Sequence, residues 1–265
     1  MRYGVFSDVH ANLHALEAVL DFLADQRVDG YLCAGDLVGY GPLPNECVRR
    51  VLDLDVTCVA GNHDLIALGR LSDARCIALA RDSLRWTREV LEDDVRARLA
   101  ELPLAARVGD VALHHGSPGD VEDYVVTEEQ ALAVLAELPT SAPGADIVVL
   151  GHTHRPVAVG ARSGSRLRAG TGSVGLPAGE PILLNAGAVG QSRTRDPRAR
   201  VMVLDLAARE AAFHAVDYDV EGCRAALRER GLPPDSCLRP LSRAQAAAGA
   251  VKRGVRRAQA SLHLR

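Results

Sequence analysis

Tyr3-Gly4-Val5-Phe6-Ser7-Asp8-Val9-His10 carries the reading that decides the fold of this 265-residue chain. Tyr3 to Phe6 reads as a short buried strand, and the chain leaves it directly into an aspartate and a histidine. From about Asn12 to Leu23, the residues Leu13, Leu16, Val19, Leu20 and Leu23 recur at helical spacing. Tyr31 to Ala34 repeats the arrangement, a strand ending in Gly35-Asp36. Pro44 to Leu52 reads as a helix, and a third strand, Val56 to Ala60, ends in Gly61-Asn62-His63-Asp64. Strands that alternate with helices predict an α/β fold, and each of these strands delivers polar residues at its carboxyl end, where such sheets place ligands.

Farther along, Asp73 to Leu102 is helical in pattern and rich in paired charges, a solvated amphipathic layer. Past Pro103, Leu104–Val108 and Val111–His115 read as strands joined at Gly109-Asp110. A helix from Thr127 to Leu138 precedes a strand at Ile147–Leu150. Pro156 to Phe213 reads as short strands with glycine turns, ending in the pair Arg200–Leu206 and Glu210–Ala215, and a helix from Val220 to Arg230 follows. This order predicts two packed sheets with helices outside, in one domain over residues 1–248. Residues 249–265 hold Lys252, Arg253, Arg256, Arg257 and Arg265 with no acidic residue, and read as a solvated basic tail.

Composition excludes several function classes. The 34 acidic residues outnumber the 31 basic ones, so no strong positive field is available for nucleic acid, and 3% aromatic content leaves few stacking platforms. Lys252 is the sole lysine and Arg253 follows it, which rules out a Gly-Lys-Ser/Thr phosphate loop. Six cysteines without a Cys-x-x-Cys pair argue against a disulfide framework or zinc finger and for a reducing compartment. The first residues lack an apolar signal core and no stretch is long enough to span a bilayer, so a soluble cytoplasmic protein is expected. Gly170-Thr171-Gly172-Ser173-Val174-Gly175 matches the dinucleotide fingerprint, but Pro177, Gly179 and Pro181 deny it the helix it needs. Gly160 to Glu180 reads instead as an enlarged, mobile hairpin near the site.

Five elements pair a strand end with metal-ligating side chains: Asp8-Val9-His10, Gly35-Asp36, Gly61-Asn62-His63-Asp64, His115-Gly116 and Gly151-His152-Thr153-His154. Each alone is weak; all five in order are not. Such a set suits metal binding. His114 and His115 compete for one position, because adjacent strand residues face opposite ways. The strand pattern alone leaves that choice open.

In residues and order these elements resemble the signature of the calcineurin-like metallophosphoesterase superfamily, D-x-H, G-D, G-N-H-[DE], H and G-H-x-H. The likeness runs from residue 4 to about residue 198. It is nearest to the compact bacterial and archaeal phosphodiesterase-like group, in which a stretch similar to Asn185-Ala186-Gly187-Ala188-Val189-Gly190-Gln191 follows the last motif. The resemblance implies a four-layer α-β-β-α sandwich, two mixed sheets face to face with helices outside. It implies two divalent transition metal ions, manganese foremost and iron, zinc or nickel as alternatives. Asp8, His10, Asp36 and His154 would hold the first, and Asp36, Asn62, His115 and His152 the second. His63 would be the general acid, with Asp64 fixing its tautomer, and a metal-bridging hydroxide would attack a phosphodiester or phosphoanhydride in a small phosphorylated substrate, nucleotides included.

One departure narrows this. Phosphoprotein phosphatases and symmetrical dinucleoside tetraphosphate hydrolases of the superfamily resemble G-D-x-x-x-R-G, whereas Tyr40 stands at that arginine. Asn62, Gln191, Arg193 and Arg198 are the candidate substrate-binding residues, with Arg193, Arg195 or Arg198 as a substitute cation or as a merely solvated cluster. Three other readings remain beside the first: an inactive interaction scaffold on the same fold, a phosphomonoesterase or asymmetrical dinucleoside polyphosphate hydrolase, and RNA binding through the basic tail.

Overall fold

Apolar periodicity sets the elements of the computed structural model, which describes residues 1–167 and 170–238. The first half contains β1 (Arg2–Phe6), α1 (Leu13–Asp25), β2 (Gly30–Cys33), α2 (Pro44–Leu52), β3 (Val56–Cys58) and α3 (Asn62–Ala67). A 3-10 turn at Asp73–Arg75 leads to α4 (Ala78–Val90) and α5 (Asp93–Ala100). Then come β4 (Ala105–Val108), β5 (Val111–His114), α6 (Glu128–Ser141), β6 (Ile147–Leu150), β7 (Pro156–Gly160), β8 (Gly164–Ser165) and β9 (Gly172–Gly175). The described residues end with β10 (Ile182–Ala186), β11 (Ala199–Asp205), β12 (Glu210–Val216) and α7 (Val220–Glu229). Local chemistry fixes the starts. Asn12 Oδ1 accepts the Ala15 N–H to cap α1, Pro44 opens α2, and Thr127 with Gln130 closes a reciprocal cap on α6.

Two six-stranded sheets result, in the orders β3-β2-β1-β11-β12-β9 and β4-β5-β6-β10-β7-β8. Both are mixed: β1, β2 and β3 run parallel, as do β5, β6 and β10, while their other neighbours are antiparallel. Period-two alternation assigns the faces. Ile147 and Val149 point into the core between the sheets with Val5, Leu32, Leu113, Leu184, Met202 and Phe213. Their neighbours Val148 and Leu150 face the opposite side and pack with Val134, Leu135 and Leu138 of α6. Phe6 and Cys33 likewise turn outward onto α1 and α2, meeting Leu16, Val19, Cys47 and Val48. A strand buried on both faces must be apolar at every position, which is why β6 reads Ile-Val-Val-Leu. The layers are helix, sheet, sheet, helix. Among the described residues no helix is long and apolar enough to cross a membrane.

One expectation is corrected. Gly160 to Glu180 is not one hairpin: β8 pairs with β7 in the second sheet, but β9 pairs with β12 in the first, so the segment visits both sheets. The strand β9 also occupies Gly172–Gly175, part of the fingerprint look-alike. After β3, Asn62 begins the short helix α3. The domain limit at residue 248 and the basic tail 249–265 lie outside the described residues.

Candidate metal centre

Parallel strands bring their carboxyl ends to one edge, and the two sheets face each other there. Asp8 and His10 follow β1, Asp36 follows β2, Asn62 and His63 open α3, His115 follows β5, and His152 and His154 follow β6. All eight side chains are buried, with Asn62 the most open at 6% exposure. The backbone turns sharply to aim them. Asp8, His10, Asp36, His152 and His154 all have positive φ, between 48° and 64°. That left-handed conformation costs a non-glycine residue roughly 1–2 kcal/mol and persists where the surroundings impose it, typically at functional sites.

Three overlapping groups of metal-competent atoms form: Asp8, His10 and His154; Asp36, His115 and His152; and His10, Asp36 and His63. His10 Nε2 lies 3.1 Å from His154 Nε2, and His154 Nε2 lies 3.2 Å from Asp8 Oδ1. Asp36 Oδ2 is 3.3 Å from His115 Nε2 and 3.6 Å from His10 Nε2, so one carboxylate faces both histidine sets. Asn62 Oδ1 stands 3.1 Å from His115 Nε2. Ligands about 2.0–2.2 Å from a shared ion lie roughly 3–3.5 Å from each other, and these separations fit.

Proton placement shows why a cation is needed. Nδ1 of His10 donates to the Val38 carbonyl at 3.1 Å, that of His115 to Ala34 at 2.6 Å, and that of His154 to Gln191 at 2.7 Å. Each ring therefore turns its Nε2 lone pair inward, the orienting contact usual for ligating imidazoles. His152 is reversed, with Nε2 against the Glu122 carbonyl at 3.2 Å, which leaves Nδ1 as the nitrogen able to ligate. Asp8 Oδ2 accepts from Ser7 Oγ and the His152 N–H, while Oδ1 is buried with no hydrogen-bond donor. Lone pairs facing lone pairs in a buried pocket repel unless a positive charge sits among them. The donor set of carboxylate, amide and imidazole, without thiolate, fits divalent transition ions.

The electrostatics agree. Burial pushes the Asp8 carboxyl up, but the imidazoles of His154 and His115 outweigh it and hold Asp8 below the usual carboxylate range. Burial likewise opposes Asp36, which His115, His63 and His10 pull down. Burial lowers His10, His152 and His154. His115 resists burial because Asp36 and Asp8 raise it to about 9, so without an ion its proton supplies the missing positive charge.

His63 stacks at the edge of this group, its ring centroid 4.7 Å from His10 and 4.9 Å from Tyr40. Burial lowers it to about 4, and its Nδ1 is buried without a partner. That nitrogen lies directly over Gly39 (φ +87°), where any Cβ would collide with it. Asp64 does not fix the His63 tautomer as expected. Its carboxylate accepts instead from the backbone N–H groups of Asp36 and Gly61 at 2.9 Å on Oδ2, and of Leu37 (2.9 Å) and Val38 (3.2 Å) on Oδ1. It is the staple of the Asp36 loop, because four convergent amides outcompete a ring that points away. Asp64→Ala leaves those buried donors unpaired and is expected to lower unfolding free energy by about 3 kcal/mol in a urea titration. A loss below about 0.5 kcal/mol would contradict the stapling role.

The remaining candidates divide. Arg193 joins the site: Nη1 donates to the His152 carbonyl and the Tyr124 hydroxyl, both at 3.3 Å. Arg198 does not. Its side chain is 43% exposed and its Nε and Nη2 pair with Asp196 at 3.0 and 2.8 Å, a two-residue loop contact that keeps it at the surface. Gln191 is a buttress rather than a substrate contact, since its carbonyl holds His154, its Nε2 meets the Ser236 carbonyl at 3.2 Å and its Oε1 accepts from Arg193 at 3.4 Å. Arg195 is exposed. The stretch Ser117 to Tyr124 is a candidate by position only and carries no readable code, yet the Tyr124 ring lies 3.8 Å from that of His152; sequence reasoning missed Ser236, whose hydroxyl donates to the Tyr40 carbonyl. No motif marks either, since both act through contacts distant in sequence.

The model of the calcineurin-like phosphoesterase superfamily domain matches residues 1–209. An uncharacterized protein of Methanocaldococcus jannaschii is 29% identical over 234 residues, 87% of this chain and 93% of its own. Among solved structures, a metallophosphoesterase from Sphaerobacter thermophilus is 34% identical with a TM-score of 0.76, covering 94% of this chain and 100% of that one. A hypothetical protein from Pyrococcus horikoshii OT3, 16% identical, shares the fold with a TM-score of 0.73 over 89% of this chain and 96% of its own.

Proposed function

Because the chain belongs to the calcineurin-like phosphoesterase superfamily, we propose that it is a dimetal hydrolase acting on a phosphodiester or phosphoanhydride of a small phosphorylated substrate. The observation that carries this reading is the set of carboxylate and imidazole atoms held within ligating distance of one another, with Asp8 Oδ1 left without a donor. Asp8, His10, Asp36 and His154 would hold one ion, and Asp36, Asn62, His115 and His152 the other, with Asp36 common to both. Two bound ions supply charge neutralisation at phosphorus and a nucleophile from water at neutral pH. Manganese is the proposed metal, and the cytoplasm the proposed compartment, in keeping with six free cysteines.

The protein's own groups do the rest. Arg193 presents a fixed positive charge beside His152 and binds a non-bridging oxygen, replacing the arginine that Tyr40 displaces. His63 gives a proton to the departing oxygen. Burial, with the charges of His154, Arg193 and His115, lowers its proton affinity, and an anionic phosphoryl group beside it acts in the opposite direction. Tyr40 and the His10 ring pack on His63 and exclude water from it.

The test is hydrolysis of bis-(4-nitrophenyl) phosphate by manganese-loaded protein, with 4-nitrophenyl phosphate as the monoester comparison. Turnover of the diester is expected, abolished by chelation and restored by manganese. Turnover indifferent to chelation rejects the mechanism, and purified protein that takes up no divalent ion favours the scaffold reading.

A further inference from the structure

Tyr124 lies between β5 and α6, outside every motif. Its ring packs on the His152 imidazole at 3.8 Å between centroids and a 36° tilt. The Arg193 guanidinium carbon lies 5.5 Å from the centre of the same ring. Arg193 is thus tied at three points: Nη1 to the Tyr124 hydroxyl and to the His152 carbonyl, and Nε to Gln191 Oε1. Among the described residues, Nη2 donates to no protein atom. The loop carrying Tyr124 is itself anchored, because Arg75 reaches Glu122 at 2.6 Å and Asp120 at 3.5 Å.

We propose that Tyr124 is a positioning residue for substrate: it stations Arg193 so that Nη2 alone faces the phosphoryl group, and it ties that cation to the metal-ligand candidate His152. This rests on the phosphoesterase reading above. The physical reason is entropy. A free arginine side chain carries considerable rotamer freedom, and fixing it before substrate arrives removes that cost from binding. The ring supplies a cation–π face and the hydroxyl sets rotation in the guanidinium plane. With Nη1 and Nε occupied, Nη2 is the nitrogen left to donate to a non-bridging oxygen of the substrate.

The experiment compares Tyr124→Phe, Tyr124→Leu, Arg193→Ala and the double variant Tyr124→Leu/Arg193→Ala as manganese-loaded proteins. Tyr124→Phe keeps the ring and loses the hydroxyl, so KM is expected to rise about 3- to 10-fold with kcat within about twofold. Tyr124→Leu is expected to approach Arg193→Ala, and adding it to Arg193→Ala is expected to change little, because the two act as one unit. Calorimetric binding of inorganic phosphate to the same proteins should follow the same order without any turnover. Metal content by elemental analysis should be unchanged throughout. Three results overturn the proposal: wild-type KM and phosphate affinity in Tyr124→Leu, a full Tyr124→Leu effect persisting without Arg193, or loss of bound metal in Tyr124→Phe. Phosphate binding in this order by a protein that hydrolyses no ester supports the positioning role while removing the phosphoesterase reading.

Discussion

Asp36→Asn is expected to lower turnover of the diester by at least about 10³-fold, a loss of roughly 4 kcal/mol of transition-state stabilisation, and to reduce bound manganese from two ions to one or none. Among the described residues no other side chain joins the His115 group to the His10 group: its Oδ2 is 3.3 Å from His115 and 3.6 Å from His10, and its Oδ1 accepts the His63 N–H at 2.8 Å. Asparagine preserves the shape and can still accept that N–H, so folding is expected to survive, checked by circular dichroism and thermal unfolding. What it lacks is the charge and the second acceptor that a shared ligand needs. The glycine opposite enforces this intimacy, since a Cβ on Gly61 would strike the Asp36 carboxylate. A folded Asp36→Asn protein that keeps two ions and wild-type turnover would remove Asp36 from the centre of the mechanism.

His63→Ala is expected to keep its metal and lose about 10²- to 10⁴-fold in kcat, the usual span for a general acid. Two readouts separate this from a structural effect. The loss should be larger for an alkyl leaving group, which needs a proton, than for 4-nitrophenolate, which leaves without one. Metal content should match wild type. His63 also lies in a group with His10 and Asp36, so loss of one ion in the variant would instead make it a ligand. An equal loss for both leaving groups would deny it the proton transfer.

Much of this was legible before any fold was known. Alternating strands and helices foretold the layers, and the residue types at strand ends foretold a polar edge, because both follow from local periodicity. Boundaries at Pro44–Leu52 and Ile147–Leu150 coincide with the structure. The segment 160–180 misled, because its glycines and prolines mark turns without saying which sheet each short strand will join. Asp64 misled for a related reason. Its adjacency to His63 invited a pairing, but α3 turns the two side chains apart and the amides of a loop some 27 residues earlier claim the carboxylate.

By itself, then, the sequence determined the kinds of donor available, their order, and the alternation that makes two sheets with helices outside. Those are properties of neighbours along the chain, set by side-chain chemistry and backbone period. Only the tertiary structure decided which nitrogen of each histidine faces inward, that Arg193 rather than Arg198 reaches the centre, and that Tyr124 stands between Arg193 and His152. Such facts depend on carbonyls, rings and amides brought together across distances of tens to over a hundred residues, and no local pattern encodes where a chain will meet itself.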